Sequence, residues 1–231
     1  MSQTVFNRYE KKYLLSETVY EKLRCRLMQY MAEDEYGLHT ICNIYYDTPD
    51  SYLISHSLEK PIYKEKLRLR SYGVPTLDTQ VFLEIKKKYK GIVNKRRISL
   101  SLQDACMYLE MGIYPNDDSQ ILREIDFLIN RYKLSRSLFL AYDRIALYAK
   151  DDPEFRVTFD QHIRSRRNNL CLEYGDCGRL LLSGDQYLME TKVLGATPLW
   201  FSGILSDLQI YPISFSKYGT VYQKEKGQKV C

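Results

Sequence analysis

The chain holds three histidines, one tryptophan and six cysteines, and no Cys-x-x-Cys pair occurs among them. Its closest cysteines, Cys171 and Cys177, have no histidine nearby, so metal–thiolate spacing is absent. Free or buried thiols in a reducing compartment are expected. No apolar run approaches the ~18 residues of a membrane-spanning helix. The opening MSQTVFNRYEKKY turns charged before a signal-peptide core can form. Both observations point to a soluble, cytoplasmic protein. Internal repeats, Gly/Ser- or Pro-rich linkers and glycine-rich phosphate loops are also missing, and no Ser/His/Asp arrangement stands out.

Apolar residues make up 45% of the chain and charged residues 27%, which allows a core and excludes intrinsic disorder. At ~150 residues per domain, 231 residues fit one large domain spanning 1–231. Lys and Arg number 34 against 29 Asp and Glu, a net charge of +5. That balance is too mild for a uniform nucleic-acid coat but permits a local anion site. The 13% aromatic content is not interleaved with an exposed basic stretch, so nucleic acid is not an expected partner. The 21 tyrosines combine an apolar body with a hydroxyl tip and suit the wall of a polar cavity.

Apolar stripes and capping residues predict helices over 16–31, 101–111, 119–131 and 198–208. Strands are expected over 4–13, 40–47, 62–72, 80–89, 92–100, 138–149, 154–164 and 186–194. Lys90-Gly91 marks a hairpin turn, and 170–185 reads as a loop. The fold class is α+β.

Side chains two apart in a strand share a face, and here one face is charged strand after strand. Lys64, Lys66, Arg68 and Arg70 lie opposite Leu67 and Leu69; Glu84, Lys86 and Lys88 lie opposite Val81, Leu83 and Ile85. The same alternation puts Arg8, Glu10 and Lys12 together, then Lys95 with Arg97, Arg144 with Tyr142, Arg156 with Asp160, and Glu190 with Lys192. Polar faces usually point to solvent. Here, though, they are dominated by Arg and Lys and recur in at least six strands. Turned inward, they would line a closed antiparallel β-barrel of about eight strands, with helices packed outside. Such a lumen needs a polyanion to neutralise it, because isolated buried charge is costly. A chain of phosphates matches best, since Arg binds phosphate oxygens in bidentate fashion and Lys as a point charge. The carboxylates could hold a divalent metal through oxygen. His39, His56 and His162 fall outside the charged faces or at their ends. In the run Lys86 to Lys90, Lys86 and Lys88 are expected inside, with Lys87 and Lys90 solvated. The lysines over 224–229 read as a solvated end, or as a contact to an acidic membrane surface.

In order along the chain, Arg8-Tyr9-Glu10-Lys11-Lys12-Tyr13, Ile44-Tyr45-Tyr46-Asp47-Thr48, Lys66-Leu67-Arg68-Leu69-Arg70, Phe82-Leu83-Glu84-Ile85-Lys86, Lys95-Arg96-Arg97, Tyr142-Asp143-Arg144, Arg156 to Asp160, Met189-Glu190-Thr191-Lys192 and Ser214 to Gly219 resemble a known family. It is the triphosphate tunnel metalloenzymes (the CYTH-like superfamily), and within it the VTC branch of polyphosphate polymerase domains. The Glu-x-Glu-x-Lys strand of the wider superfamily is altered here, with Arg8 in the first position before Glu10 and Lys12. This departure is in keeping with the VTC branch and weighs against a thiamine-triphosphatase or adenylyl-cyclase role.

The resemblance implies a metal-dependent ATP–polyphosphate phosphotransferase. Phosphates would be bound by Arg8, Lys12, Lys66, Arg68, Arg70, Lys86, Lys95, Arg97, Arg144, Arg156, Lys192 and Lys217. Of these, Arg70, Lys86, Arg144 and Lys217 would carry the catalytic step. Mn²⁺ or Mg²⁺ would be held by Glu190, supported by Glu10 and Glu84. ATP and polyphosphate are the implied partners, with a separate membrane protein as a further one. A hydrolase of the same fold and a non-catalytic polyphosphate-binding module are the alternative readings.

Overall fold

A computed structural model describes residues 8–90 and 92–227. The first half runs β1 (Arg8–Ser16), α1 (Glu17–Leu27), β2 (Met31–Glu33), β3 (His39–Asp47), α2 (Tyr52–Leu58), β4 (Tyr63–Tyr72), β5 (Gln80–Tyr89) and β6 (Ile92–Ser101). The second runs α3 (Leu102–Met111), α4 (Gln120–Tyr132), β7 (Ser135–Ala149), β8 (Arg156–Arg166), β9 (Arg179–Leu180), β10 (Gln186–Leu194), α5 (Leu199–Asp207) and α6 (Lys217–Glu225). All eight expected strands form, although 4–7 of the first lie outside the described residues. The four expected helices form too. The first is shorter than its apolar stripe, ending at Leu27, and Met31 stays buried as the first residue of β2. Among the described residues, no helix is long and apolar enough to cross a membrane.

Helix starts follow their caps. Ser101 Oγ accepts from the Asp104 amide at 3.0 Å, Ser119 Oγ from Leu122 at 3.2 Å, and Ser216 Oγ from Gly219 at 3.2 Å. The short helix α2 was not expected, and its cap is not local. Asp47, at the end of β3, accepts the amides of Leu53 at 2.8 Å and Ile54 at 3.1 Å. A buried carboxylate there satisfies orphan donors and suits the helix dipole. Asp47 also accepts the Tyr218 hydroxyl at 2.8 Å, which fastens α6 to the same spot.

The main sheet is antiparallel, in the order β1-β10-β8-β7-β3-β4-β5-β6. It does not close, contrary to the expected barrel: β1 and β6 are the two ends and do not pair. The outer edge of β1 is already taken, because the Ile213 amide donates to the Lys12 carbonyl at 2.7 Å. The sheet nevertheless curls far enough for Glu10 of β1 to lie 4.0 Å from Lys86 of β5.

Three apolar clusters hold this shape. One packs the outer face of β3 to β6 against α3 and α4, and a second packs β1, β8 and β10 against α1 and α5. These helices lie outside, as expected. The third corrects that expectation for α2 and α6. Ile41, Tyr45, Leu138, Leu140, Tyr142 and Leu188 belong to the inward faces, yet they pack with Ile54 of α2 and with Tyr218 and Val221 of α6. These two helices therefore sit on the inner face. Gly219 makes the approach possible, because a Cβ there would stand 2.9 Å from Leu58 Cδ2 and 3.1 Å from Ser216 Cβ. Gly219→Leu, whose side chain the tip of Leu58 cannot make room for, should cost about 1–3 kcal/mol through overpacking, read by urea denaturation. An unchanged midpoint would contradict this packing.

Candidate anion-binding cavity

The curled sheet encloses a cavity of about 1180 Å³. Ten Lys and Arg side chains line it against four Glu. Neighbouring strands bring the expected cations together. Lys66, Arg68 and Arg70 come from β4, Lys86 from β5, Lys95 from β6, Lys12 from β1, Arg144 from β7, Lys192 from β10 and Lys217 from α6. Tyr9, Tyr45, Tyr142 and Tyr218 also stand in the wall, as the tyrosine content suggested.

Some predicted residues lie elsewhere. Arg97 is exposed and stacks on the Phe82 ring at 4.5 Å, outside the wall. Arg156 is exposed and donates to the Pro153 carbonyl at 3.3 Å. The side chain of Arg8 lies outside the described residues. Lys88, expected inside, is not in the wall, whereas Lys90, expected in solvent, is. Lys87 stays out of the cavity but does not stand in solvent: it is half-buried and meets Glu124 of α4 at 2.9 Å. At the C-terminal end, Lys224 donates to the Leu181 carbonyl at 2.6 Å, and 228–231 lie outside the described residues.

The floor is prearranged. Asp160 is fully buried and receives two bonds from Arg144, at 2.6 and 2.8 Å, and one from Lys217 at 2.5 Å. Burial favours the neutral acid, but Arg144 and Lys217 hold its pKa down to about 2. Asp160 therefore works as a fixed anchor that aims two cations, a role the strand pattern alone did not reveal. Lys217 also stands 4.4 Å from the Tyr142 ring centroid. Burial raises the pKa of Tyr142, yet Arg144, Arg70 and Lys217 together bring it down to about 8.

The three candidate metal carboxylates do not share one place. Glu84 is buried and meets Arg68 at 2.6 Å and Lys95 at 2.9 Å. Burial opposes its ionisation, but Arg68, Arg70 and Lys95 keep its pKa at about 2. Its oxygens are engaged by cations. Glu10 and Glu190 instead flank Lys12, at 3.6 and 3.9 Å. Glu190 also meets Lys192 at 2.9 Å. Despite burial, Lys192, Lys12, Lys217 and Arg144 hold it far below the usual carboxylate range. Among the described residues, no group of three or more His, Cys, Asp or Glu forms a metal cage. Glu10 and Glu190 thus line the cavity on either side of the Lys12 ammonium, free of the Arg68 cluster. That fits a hard cation such as Mg²⁺, which takes one or two carboxylates and completes its shell with water and phosphate oxygens.

Surplus positive charge shows in the lysines. Burial, reinforced by Lys64, Lys86 and Lys12, drives Lys66 down to about 8. Burial with Arg68 and Arg70 outweighs Glu84 and drives Lys95 to about 8. These lysines are charged below pH 8 and lose charge above it, and a bound polyanion reverses the loss. Long-chain polyphosphate should therefore bind more tightly at pH 7 than at pH 9, and should take up protons near pH 8. Calorimetry in buffers of different ionisation heat checks this, and net proton release would contradict it.

Comparison with known proteins decides the family. The VTC domain model matches residues 7–225. This chain belongs to the VTC domain family. No curated protein sequence matches the chain. Its fold is shared with solved structures of low identity. One is a Bacillus halodurans protein assigned as an adenylate cyclase, 18% identical over 90% of this chain and 92% of that one, with a TM-score of 0.56. Another is a Hippeastrum protein assigned as an adenylyl cyclase and having a dominant triphosphatase activity. It is 15% identical over 97% of this chain and 98% of its own, with a TM-score of 0.56. The VTC domain here thus shares the fold of these two proteins, with ten Lys and Arg side chains lining the curl of the sheet.

Proposed function

We propose that this VTC domain is a metal-dependent phosphotransferase that moves the γ-phosphate of ATP onto a growing polyphosphate chain and releases ADP. The ten-cation wall carries this reading. Its cations repeat at i, i+2 along β4, steps of about 6.6 Å, so they track an extended anion rather than mark one point. At about 1180 Å³ the cavity also exceeds the roughly 300–1,000 Å³ of ordinary ligand sites. Nucleotide and acceptor chain can occupy it together.

Phosphoryl transfer needs positioning and charge neutralisation more than covalent help. Lys12, Lys66, Arg68, Lys95 and Lys192 would hold the phosphates. Arg70, Lys86, Arg144 and Lys217 would surround the transferred group, with Arg144 and Lys217 aimed by Asp160. The terminal oxygen of the acceptor bonds to the γ-phosphorus as the bond to the β–γ bridging oxygen breaks, and ADP carries that oxygen away. Mn²⁺ or Mg²⁺, held by Glu190 and Glu10, would supply positive charge to the phosphate oxygens. Glu84 would serve Arg68 and Lys95 instead.

Hydrolysis is the second reading, favoured by the triphosphatase activity of the Hippeastrum protein with the same fold. The two are separated by measuring ADP and orthophosphate from ATP in parallel. Transfer gives ADP without matching orthophosphate. Equal release of both would assign the hydrolase, and neither product with tight polyphosphate binding would leave a binding module.

A further inference from the structure

Just past the cavity wall the inward face changes character. Beyond Arg70 and Arg144 the same face carries rings instead of charges. Phe82 stands directly across from Arg70, and His39 directly across from Arg144. Tyr72 is two residues beyond Arg70 on β4 and pairs with Ile41 of the inner cluster. Ring centroids form a continuous row: Tyr36 to His39 at 6.1 Å, His39 to Tyr72 at 6.0 Å, and Tyr72 to Phe82 at 5.7 Å. Arg97 closes the row, with its guanidinium 4.5 Å from the Phe82 centroid. It meets no carboxylate within 4 Å among the described residues. Tyr36 and Tyr72 are 69% and 49% exposed, so these rings are open to a ligand.

From this we infer that the aromatic row is the nucleobase subsite for the nucleoside triphosphate whose phosphates lie among Arg70 and Arg144. The inference rests on the phosphate-transfer reading and adds how nucleotide is told from bare polyphosphate. Flat rings with a neighbouring Arg plane are the surface on which bases stack, with little dependence on base identity. Spacing agrees with this. Tyr72 lies one i, i+2 step, about 6.6 Å, from Arg70, so one nucleotide reaches both. Arg97 is placed to meet the base or the first phosphate, not the lumen chain its strand pattern suggested. In the other direction along β4 and β5 the wall offers Lys66, Lys86 and Lys90 instead. The site is thus polar along its length, with the base at the ringed end and bare phosphate toward the lysines.

Tyr72→Ala and Tyr72→Phe test this, with ATP and tripolyphosphate each titrated into wild type and variants by calorimetry. Tyr72→Ala should weaken ATP by about 5- to 150-fold, the effect of losing one base–aromatic stack. Tripolyphosphate affinity should stay unchanged, and Tyr72→Phe should restore ATP. Equal weakening of both ligands, or no weakening of ATP, would overturn the inference. Wild type binding tripolyphosphate but not ATP would overturn it while leaving the phosphate site standing. Wild type binding neither would remove the phosphate-transfer reading itself, and the inference with it.

Discussion

Glu190→Gln is expected to lower metal-dependent turnover by a factor on the order of 10² to 10³, the loss that follows removal of one preorganised electrostatic group. The substitution keeps the size and shape of the side chain and removes one negative charge. That charge sits between Lys12 and Lys192 and faces the cavity with Glu10. Two consequences separate a metal ligand from a structural anion. The metal concentration giving half-maximal rate should rise. Tripolyphosphate binding measured without metal should hold or tighten, because an anion gains when a repelling carboxylate disappears. Stability of the ligand-free protein should fall, since Lys12 keeps Glu10 as its one carboxylate partner among the described residues, and tripolyphosphate should restore it. Full activity in Glu190→Gln would remove the metal assignment. Lost anion affinity together with lost turnover would instead mean that Glu190 organises the cations.

Tripolyphosphate should raise the melting temperature strongly. Ten cations share one wall with four Glu, so the free protein carries repulsion that a bound polyanion relieves. At a concentration a hundred times its Kd, a ligand adds about 2.7 kcal/mol. For a chain of this size each kcal/mol moves the midpoint roughly 2–4 °C, so about 5–11 °C is expected. Orthophosphate at equal total phosphate should do less, because it cannot bridge the row from Lys66 to Arg70. The shift should shrink in high salt for the more exposed lysines and persist for the deep pair Arg144 and Lys217, where screening is weak. Chloride at matched ionic strength producing the same shift would contradict a specific polyanion site.

Much of this site was legible because strand alternation is a two-residue code. Lys66, Arg68 and Arg70 opposite Leu67 and Leu69 define both faces without knowledge of the fold. The same code does not report height along the sheet. Arg156 has the inward parity but is the first residue of β8, and Arg97, although in the middle of β6, turns its guanidinium onto the Phe82 ring. Lys90 breaks the parity argument from the other side. It sits in a turn with φ of 46° and so points where a strand residue would not. Closure was illegible for a different reason. The segment that blocks the β1 edge, around Pro212 and Ile213, carries no strand pattern and contributes a single bridge. Nor could periodicity show that α6 lies inside. That follows from the remote carboxylate of Asp47 and the missing side chain of Gly219. Asp160 was readable as a charge on the inner face, but not as the anchor of Arg144 and Lys217, because the distance to α6 in sequence is 57 residues.

The most direct test of the account is chain growth itself. Purified protein is incubated with ATP and Mn²⁺, with and without a short polyphosphate primer, and the products are separated on a polyphosphate-stained gel over time. A ladder that lengthens with time and depends on ATP is the predicted result. ATP consumed to ADP and orthophosphate, with primer unchanged in length or shortened, would contradict polymerisation and make this cavity a hydrolase site.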